Sequence, residues 1–474
     1  MANSIIGRTK EQEYLLERYM SGKPEFIAIY GRRRVGKTFL IRQMFEKEFI
    51  IDLVGLANAN TEKQLLNFNL SINHSDNQEF DLAENWLDAF EQLRKVVEQS
   101  QKERKIIFID EIPWLDTPHS GFLTALEHFW NSWACSRNDL MLIVCGSATS
   151  WIVNKLINNH GGLHNRLTGT VYLQPFTLYE TGIFLHAQGV AYTRNQIAEC
   201  YMVMGGIPYY LSKIKRGLSL AQNIDNMFFT NDAALKDEFK NLYASLFRDA
   251  SDYIKVVKAL SKKTKGLTRN EILAATKLQS GGTFSEILKN LESCGFIRRY
   301  AVPKKRQREV LYQLLDAYTL FYFRFLDNLE TNDEQFWTNS TNSPSHHTWA
   351  GYAFEILALL HTKEIKRALG ISGVQTSIFA WRSEYSQPAA QIDLVIDRKD
   401  GIIDLCEIKY AHTTFIITKQ YEEILRNKIA AFQAETKTRK AVHLLMLTTF
   451  GLRKNKYFGI AQKEIKLDDL FHGA

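Results

Sequence analysis

The run Gly31-Arg32-Arg33-Arg34-Val35-Gly36-Lys37-Thr38-Phe39 has the residue types that hold a polyphosphate. Gly31 and Gly36 let backbone N–H groups curl around an anion without Cβ clashes. Lys37 is spaced to reach β- and γ-phosphates, and the Thr38 hydroxyl to ligate Mg²⁺. Asp110 and Glu111 close the apolar run that begins at Lys105. The first acid at such a strand end holds Mg²⁺ through water, and the second polarises the attacking water. These residues predict ATP as ligand, ADP as product, and Mg²⁺ as cofactor. Ser147, after the run Leu140 to Gly146, either senses a γ-phosphate or caps the next turn. Arg166 either reaches the γ-phosphate, in cis or across subunits, or is a surface arginine.

A second set lies near the C-terminus: Glu355, Asp393, Glu407 and Lys409. A strand through Ile402-Ile-Asp-Leu-Cys-Glu407-Ile-Lys409 puts Glu407 and Lys409 on one face. Acids and a lysine among Val/Ile strands need a reason to be there. The plainest alternative is a cross-strand ion pair of little worth.

The elements that must position these groups follow from pattern. Phe26 to Tyr30 reads as a buried strand, and Phe39 onward as an amphipathic helix. Strand, glycine turn and helix are the setting a phosphate loop requires. Between Tyr253 and Arg308 the pattern predicts three helices and a two-stranded wing, a winged helix-turn-helix. Capping boxes are expected at Thr268–Glu271 and Thr283–Glu286, and Gly295 ends the third helix. The wing carries Arg298, Arg299, Lys304, Lys305, Arg306 and Arg308, and five lysines lie between Lys255 and Lys265. Such clustering either binds nucleic-acid phosphates with strong salt dependence or is a solvated face. The polar stretch 331–347 reads as a linker. Gln391-Ile-Asp393-Leu-Val-Ile and Ile402 to Tyr410 read as strands, and Trp349 to Leu360 as a helix carrying Glu355.

Ile6-Gly7-Arg8, the glycine loop, Ile109-Asp-Glu-Ile-Pro-Trp114 and Gly205-Gly-Ile-Pro208-Tyr-Tyr resemble the archaeal-type ATPases of the STAND branch of AAA-related P-loop ATPases. The resemblance implies an α/β fold with a five-stranded parallel sheet and a helical lid. It places Gly7 and Arg8 near the adenine and Pro208 beside the nucleotide. Beyond the winged helix it implies a C-terminal domain of the DUF234-like kind. There the helix acid, Asp393 and Glu407-x-Lys409 resemble a PD-(D/E)XK nuclease. That likeness implies Asp393 and Glu407 as Mg²⁺ ligands, Glu355 as a further ligand or base, and Lys409 orienting the attacking water. Ile392 replaces the usual proline, and Gln391 stands where relatives often carry a second acid.

The expected domains are an ATPase core (1–180), a helical lid (181–245), a winged helix with an aromatic helix (246–330), the linker, and a restriction-endonuclease-like α/β domain (348–474). A chain of 474 residues has room for about three domains. With 45% hydrophobic and 23% charged residues it is ordinary globular protein. No apolar run approaches the ~20 residues of a membrane helix, and Lys10, Glu11 and Glu13 argue against a signal peptide. The five scattered cysteines argue against a disulfide framework and for a reducing, cytoplasmic setting. A net charge of +7 alone points only weakly to a polyanionic partner. The expected activity is ATP hydrolysis coupled to a DNA-processing domain, with double-stranded or branched DNA at the wing (298–308), no membrane, and homo-oligomers admitted. The alternative is an ATP-controlled signalling or DNA-binding regulator whose nuclease fold is not catalytic.

Overall fold

The computed structural model describes residues 5–75, 80–147, 149–158, 161–163, 165–247, 249–263, 265–302, 309–327, 329, 333–383 and 385–473. They form two compact units, Met1–Pro175 and Phe176–Ala474. The segments expected as lid, winged helix, linker and C-terminal domain therefore share one unit, together with residues 176–180 of the expected ATPase core.

In the first unit, α1 (Thr9–Tyr19) leads into β1 (Glu25–Tyr30), and α2 (Lys37–Phe45) follows the glycine loop. Then come β2 (Phe49–Val54), α3 (Thr61–Ser75), α4 (Trp86–Gln99), β3 (Lys105–Asp110), α5 (Phe122–Ser132), β4 (Leu140–Gly146), α6 (Thr149–Ile152) and β5 (Gly169–Tyr172). The strands make one five-stranded sheet in the order β2-β3-β4-β1-β5, every pair parallel. β3 and β4 are buried along their whole length, as expected of parallel strands covered on both faces. On α4, Trp86, Ala89, Phe90, Leu93, Val96 and Val97 recur at helical spacing and are all buried. Trp86 meets Phe122 of α5 edge-to-face at 4.9 Å. The strand order reverses beside β1, so the carboxyl ends of β1, β3 and β4 open the crevice where such sheets take ligands.

The second unit begins with α7 (Leu178–Ala187), α8 (Arg194–Met204), α9 (Pro208–Leu211), α10 (Leu220–Phe228) and α11 (Glu238–Leu246). Next come α12 (Ala250–Ser261), β6 (Leu267–Thr268), α13 (Arg269–Thr276), α14 (Gly282–Ser293), β7 (Ile297–Val302) and β8 (Glu309–Leu314), with an antiparallel sheet in the order β6-β8-β7. Thr268 and Glu271 close a capping box on α13. The box expected at Thr283 does not form: α14 already starts at Gly282, which leaves Thr283 inside the first turn, and Gly281 caps without a side chain. Of the basic residues expected on a wing, Lys304, Lys305, Arg306 and Arg308 lie outside the described residues. Arg299 is exposed, whereas Arg298 lies over the Tyr300 ring and its Nε donates to Gln313.

The stretch expected as a linker is not one where it is described. After α15 (Ala317–Phe321) and a π turn (Tyr322–Leu326), α16 (Phe336–Ser340) forms, and α17 (Pro344–Leu360) starts within the same stretch. Trp337 is buried against Phe325 and Trp349, and Asp225 accepts from Trp337 N (2.8 Å), Thr338 N (3.2 Å) and Thr338 Oγ1 (2.6 Å). A polar sequence with two aromatics found a buried acid to cap it.

The chain closes with α18 (Thr362–Ala368), β9 (Thr376–Arg382), β10 (Gln391–Arg398), β11 (Ile402–Lys409), α19 (Lys419–Thr436), β12 (Ala441–Thr448) and β13 (Lys463–Lys466). They give a five-stranded mixed sheet, β13-β12-β11-β10-β9, with β9-β10-β11 antiparallel and β11-β12-β13 parallel. Between Ile392 and Val395 the register with β9 shifts, so β10 carries one extra residue there, a β-bulge at Asp393. Tyr300 and Leu311 of the β7-β8 pair share a hydrophobic core with Phe379, Trp381 and Val395 of this sheet. No helix among the described residues is long and apolar enough to cross a membrane.

Candidate functional site

The glycine loop is shaped by backbone conformations few residues allow. Gly31 has φ +148°, and a Cβ there would stand 2.2 Å from the Leu173 carbonyl oxygen. Gly36 has φ +92°, and a Cβ on it would meet nothing within 4 Å. The space beside Gly36 is open, and α2 starts there without a side-chain cap. The first-turn N–H groups of α2 and its helix dipole are the groups that bind an anion at such a helix start.

Lys37 is buried and folds back over the loop. Its Nζ donates to Gly31 O (2.9 Å), Arg32 O (3.0 Å) and Ser147 Oγ (3.3 Å). Ser147 Oγ in turn donates to Glu111 Oε1 (2.6 Å), and Ser147 N to Glu111 Oε2 (3.2 Å). Glu111 sits in the left-handed region at φ 47°, a strained place for a non-glycine residue. Thr38 Oγ1 donates to Asp110 Oδ2 (2.6 Å), while Asp110 Oδ1 accepts from Glu111 N (2.8 Å). Lys37, Thr38, Asp110, Glu111 and Ser147 are thus brought together from three strand ends. The Thr38 hydroxyl and the Asp110 carboxylate are oxygen groups of the kind that would hold a divalent cation. Arg8, at φ 59° after Gly7, donates from Nη2 to Val35 O (3.2 Å) and ties the Gly7-Arg8 turn to the loop. Arg32 and Val35 are buried, Arg33 and Phe39 exposed, and Arg34 takes φ +70°. Arg166 is exposed and enters none of these hydrogen bonds among the described residues. Pro208 lies in the second unit, at the first turn of α9 after Gly205 and Gly206, both at positive φ.

The C-terminal set also converges, with company that was not expected. Asp393 and Glu407 are buried. Asp393 Oδ1 takes a short ion pair from Lys265 Nζ, and Oδ2 accepts from Ile408 N (3.1 Å). Lys265 Nζ also lies 3.1 Å from Glu355 Oε2. Glu407 Oε1 faces Lys409 Nζ (3.0 Å) and the Tyr421 hydroxyl (2.9 Å), and Oε2 faces Lys428 Nζ (2.6 Å). Burial, then the neighbouring Asp393 charge, pushes the Glu355 carboxyl up to about 7 despite Lys265. Burial would also raise Asp393, but Lys265 outweighs it and holds that carboxyl below its ordinary value. Burial and Glu407 raise the Tyr421 hydroxyl.

This arrangement does not fit a divalent cation. Each oxygen of Asp393 and Glu407 has an N–H or O–H partner, and no group of three or more His, Cys, Asp or Glu is gathered for a metal among the described residues. Tyr421, Lys428 and Lys265 were missed by sequence reasoning. The first two lie on α19, where Tyr421 and Lys428 stand two helical turns apart on one face, a pattern that acquires meaning only once α19 is laid on β11.

Residues 5–214 match a family described as an ATPase domain predominantly from Archaea. An uncharacterized protein of Methanocaldococcus jannaschii is 26% identical over 363 residues, 75% of this chain and 76% of its own. An uncharacterized ATP-binding protein of the same organism is 42% identical over 46 residues, 10% of this chain and 78% of its own. Among solved structures, the Walker-type ATPase of Pyrococcus abyssi covers 68% of this chain and 96% of its own at 18% identity and a TM-score of 0.49. The ORC2 protein of Aeropyrum pernix, in ADPNP–ADP complexes, covers 68% and 94% at 17% identity and a TM-score of 0.42. The phosphate loop built as described lies within the matched residues 5–214, and the match supports a P-loop ATPase there.

Proposed function

We propose that the protein is an Mg²⁺-dependent ATPase whose nucleotide state controls a nucleic-acid-processing second unit. The observation that carries the hydrolytic half is the Lys37–Ser147–Glu111 chain of hydrogen bonds. It links the residue for the β/γ-phosphates to the candidate base through a hydroxyl able to report the γ-phosphate. Glu111 polarises the attacking water, Lys37 and the loop N–H groups bind the phosphates, and Thr38 with Asp110 holds the ion. Gly7 and Arg8 border the adenine, and Pro208 belongs to the lid. Arg166 is proposed as a γ-phosphate contact in an assembled state.

In the same reading α12, α13, α14 and the β6-β8-β7 sheet are a winged helix, and the C-terminal mixed sheet is nuclease-like. Support comes from Glu355, Asp393, Glu407 and Lys409 meeting at one place. DNA is the proposed partner. A second reading, a regulator whose nuclease fold is not catalytic, is favoured by one observation: every oxygen of Asp393 and Glu407 already has a protein partner.

The test runs wild type and Lys37→Ala on linear, circular and branched DNA, with Mg²⁺ or Mn²⁺ and with or without ATP. ATP turnover should be abolished by Lys37→Ala. Cleavage stimulated by ATP in wild type alone supports coupling; equal cleavage by both proteins removes it. No cleavage under any condition leaves the regulator reading.

A further inference from the structure

The turn that follows β3 is gripped from both sides. β2 and β4 flank β3 in the sheet, and each gives way to a glycine: Gly55 is the first residue after β2, and Gly146 is the last of β4. A Cβ on Gly146 would stand 2.8 Å from Pro113 Cδ. One on Gly55 would stand 2.5 Å from the Glu111 carbonyl oxygen and 3.1 Å from Trp114 Cβ. Neither obstacle is the pliant end of a side chain, since one is a proline ring and the other is backbone. Neither glycine has φ in the left-handed region, so closeness rather than backbone freedom excludes a side chain at both positions. Gly55 N also donates to Asp110 O (2.9 Å). Gln64 of α3, fully buried, adds a third hold. Its Oε1 accepts from Leu56 N (3.0 Å), and its Nε2 donates to Leu56 O (2.7 Å) and Trp114 O (3.0 Å), so one amide braces both turns. Between these holds Glu111 has φ 47° and ψ 42°, a conformation that a non-glycine residue keeps only when its surroundings impose it. Its carboxylate meets Ser147, the neighbour of Gly146, through both oxygens.

We propose that Gly55, Gly146 and Gln64 are positioning residues for ATP hydrolysis: they hold the 111–114 turn so close to the neighbouring strand ends that Glu111 stays left-handed with its carboxylate on Ser147. This role rests on the reading of Glu111 as the residue that polarises the attacking water. A side chain at position 146 drives Pro113 away from β4, and one at position 55 pushes the Glu111 carbonyl from the β2 side. Either displacement moves the carboxylate relative to Ser147, and neither contact involves the glycine loop that holds the phosphates. A catalytic group misplaced by about 1 Å loses on the order of 100-fold in rate. Substrate binding persists, so the loss falls on kcat and spares KM.

The test measures steady-state ATP turnover by the full-length chain and its binding of a fluorescent ATP analogue. Wild type, Gly146→Ala, Pro113→Ala, the double variant Gly146→Ala/Pro113→Ala, Gly55→Ala, Gln64→Met and Glu111→Gln are compared, each checked for folding by circular dichroism. Gly146→Ala and Gly55→Ala should lower kcat at least about tenfold with KM within about twofold of wild type. Gln64→Met, which keeps the volume and loses the brace, should lower kcat several-fold. Removing the proline ring takes away the obstacle to a Cβ at position 146, so the double variant should recover to within about threefold of Pro113→Ala alone. A folded Gly146→Ala with wild-type kcat overturns the proposal, as does a loss that Pro113→Ala does not restore or that appears in KM alone. Should Gly146→Ala not fold, wild-type kcat in a folded Gly55→Ala or Gln64→Met overturns it. Glu111→Gln turning over ATP like wild type ends the reading of Glu111 as the base. A slow Glu111→Gln beside a normal Gly146→Ala ends the positioning role alone.

Discussion

Glu111 and Ser147 share two hydrogen bonds, yet their removal should have different signatures. Glu111→Gln keeps an acceptor for Ser147 and loses the base. ATP turnover should fall at least about 100-fold while ATP binding, followed by nucleotide fluorescence, persists. Ser147→Ala cuts the link between Lys37 and Glu111 and should lower kcat about tenfold with little change in KM. The glycine loop and its lysine were legible because their spacing is local and each position has a stereochemical reason. Ser147 was legible only as a choice between two roles, since the end of a strand says nothing about which neighbours it meets. Tyr421 and Lys428 were not legible at all, and Lys265 was legible only as one of five clustered lysines. Lysine and tyrosine are common, and nothing in a one-dimensional string brings Lys265 to acids 90 and 128 positions away.

Elements explain the rest of what the sequence hid. The stretch before α17 was polar enough to pass for a linker, but Phe336 and Trp337 needed burial and Asp225 supplied a cap from another helix. Trp337→Ala should therefore cost about 3–5 kcal/mol, read from urea unfolding of the chain. Gly31→Ala drives a Cβ into the Leu173 carbonyl, so both nucleotide affinity and the Tm of the first unit should drop. His346 is buried among Phe325, Trp337 and Trp349. Burial, with the neighbouring His347 and His412, holds it down to about 4. Because the folded value lies below the free imidazole's ~6.5, its contribution is complete above that pH and is lost as pH falls toward 4. The loss is on the order of 3 kcal/mol. Urea midpoints should decline across that window in wild type and stay flatter in His346→Phe.

At the scale of the molecule the +7 charge is not evenly available. Of the five lysines from Lys255 to Lys265, Lys255 pairs with Asp252, Lys258 with Asp327, and Lys265 with Glu355 and Asp393, leaving Lys262 and Lys263 exposed. If DNA binds this surface, the double variant Lys262→Ser/Lys263→Ser should weaken it uniformly across sequences and reduce the slope of log K against log salt by about 2. The extra residue in β10 has a cost and a use that cannot be separated. Deleting Leu394 should restore unbroken ladder pairing with β9, yet draw Asp393 into that ladder and away from Lys265 and the Ile408 amide. Variants screened only for heat resistance would tend to discard that residue, and with it the acid's meeting with its partners; sturdiness and chemistry pull this short segment in opposed directions.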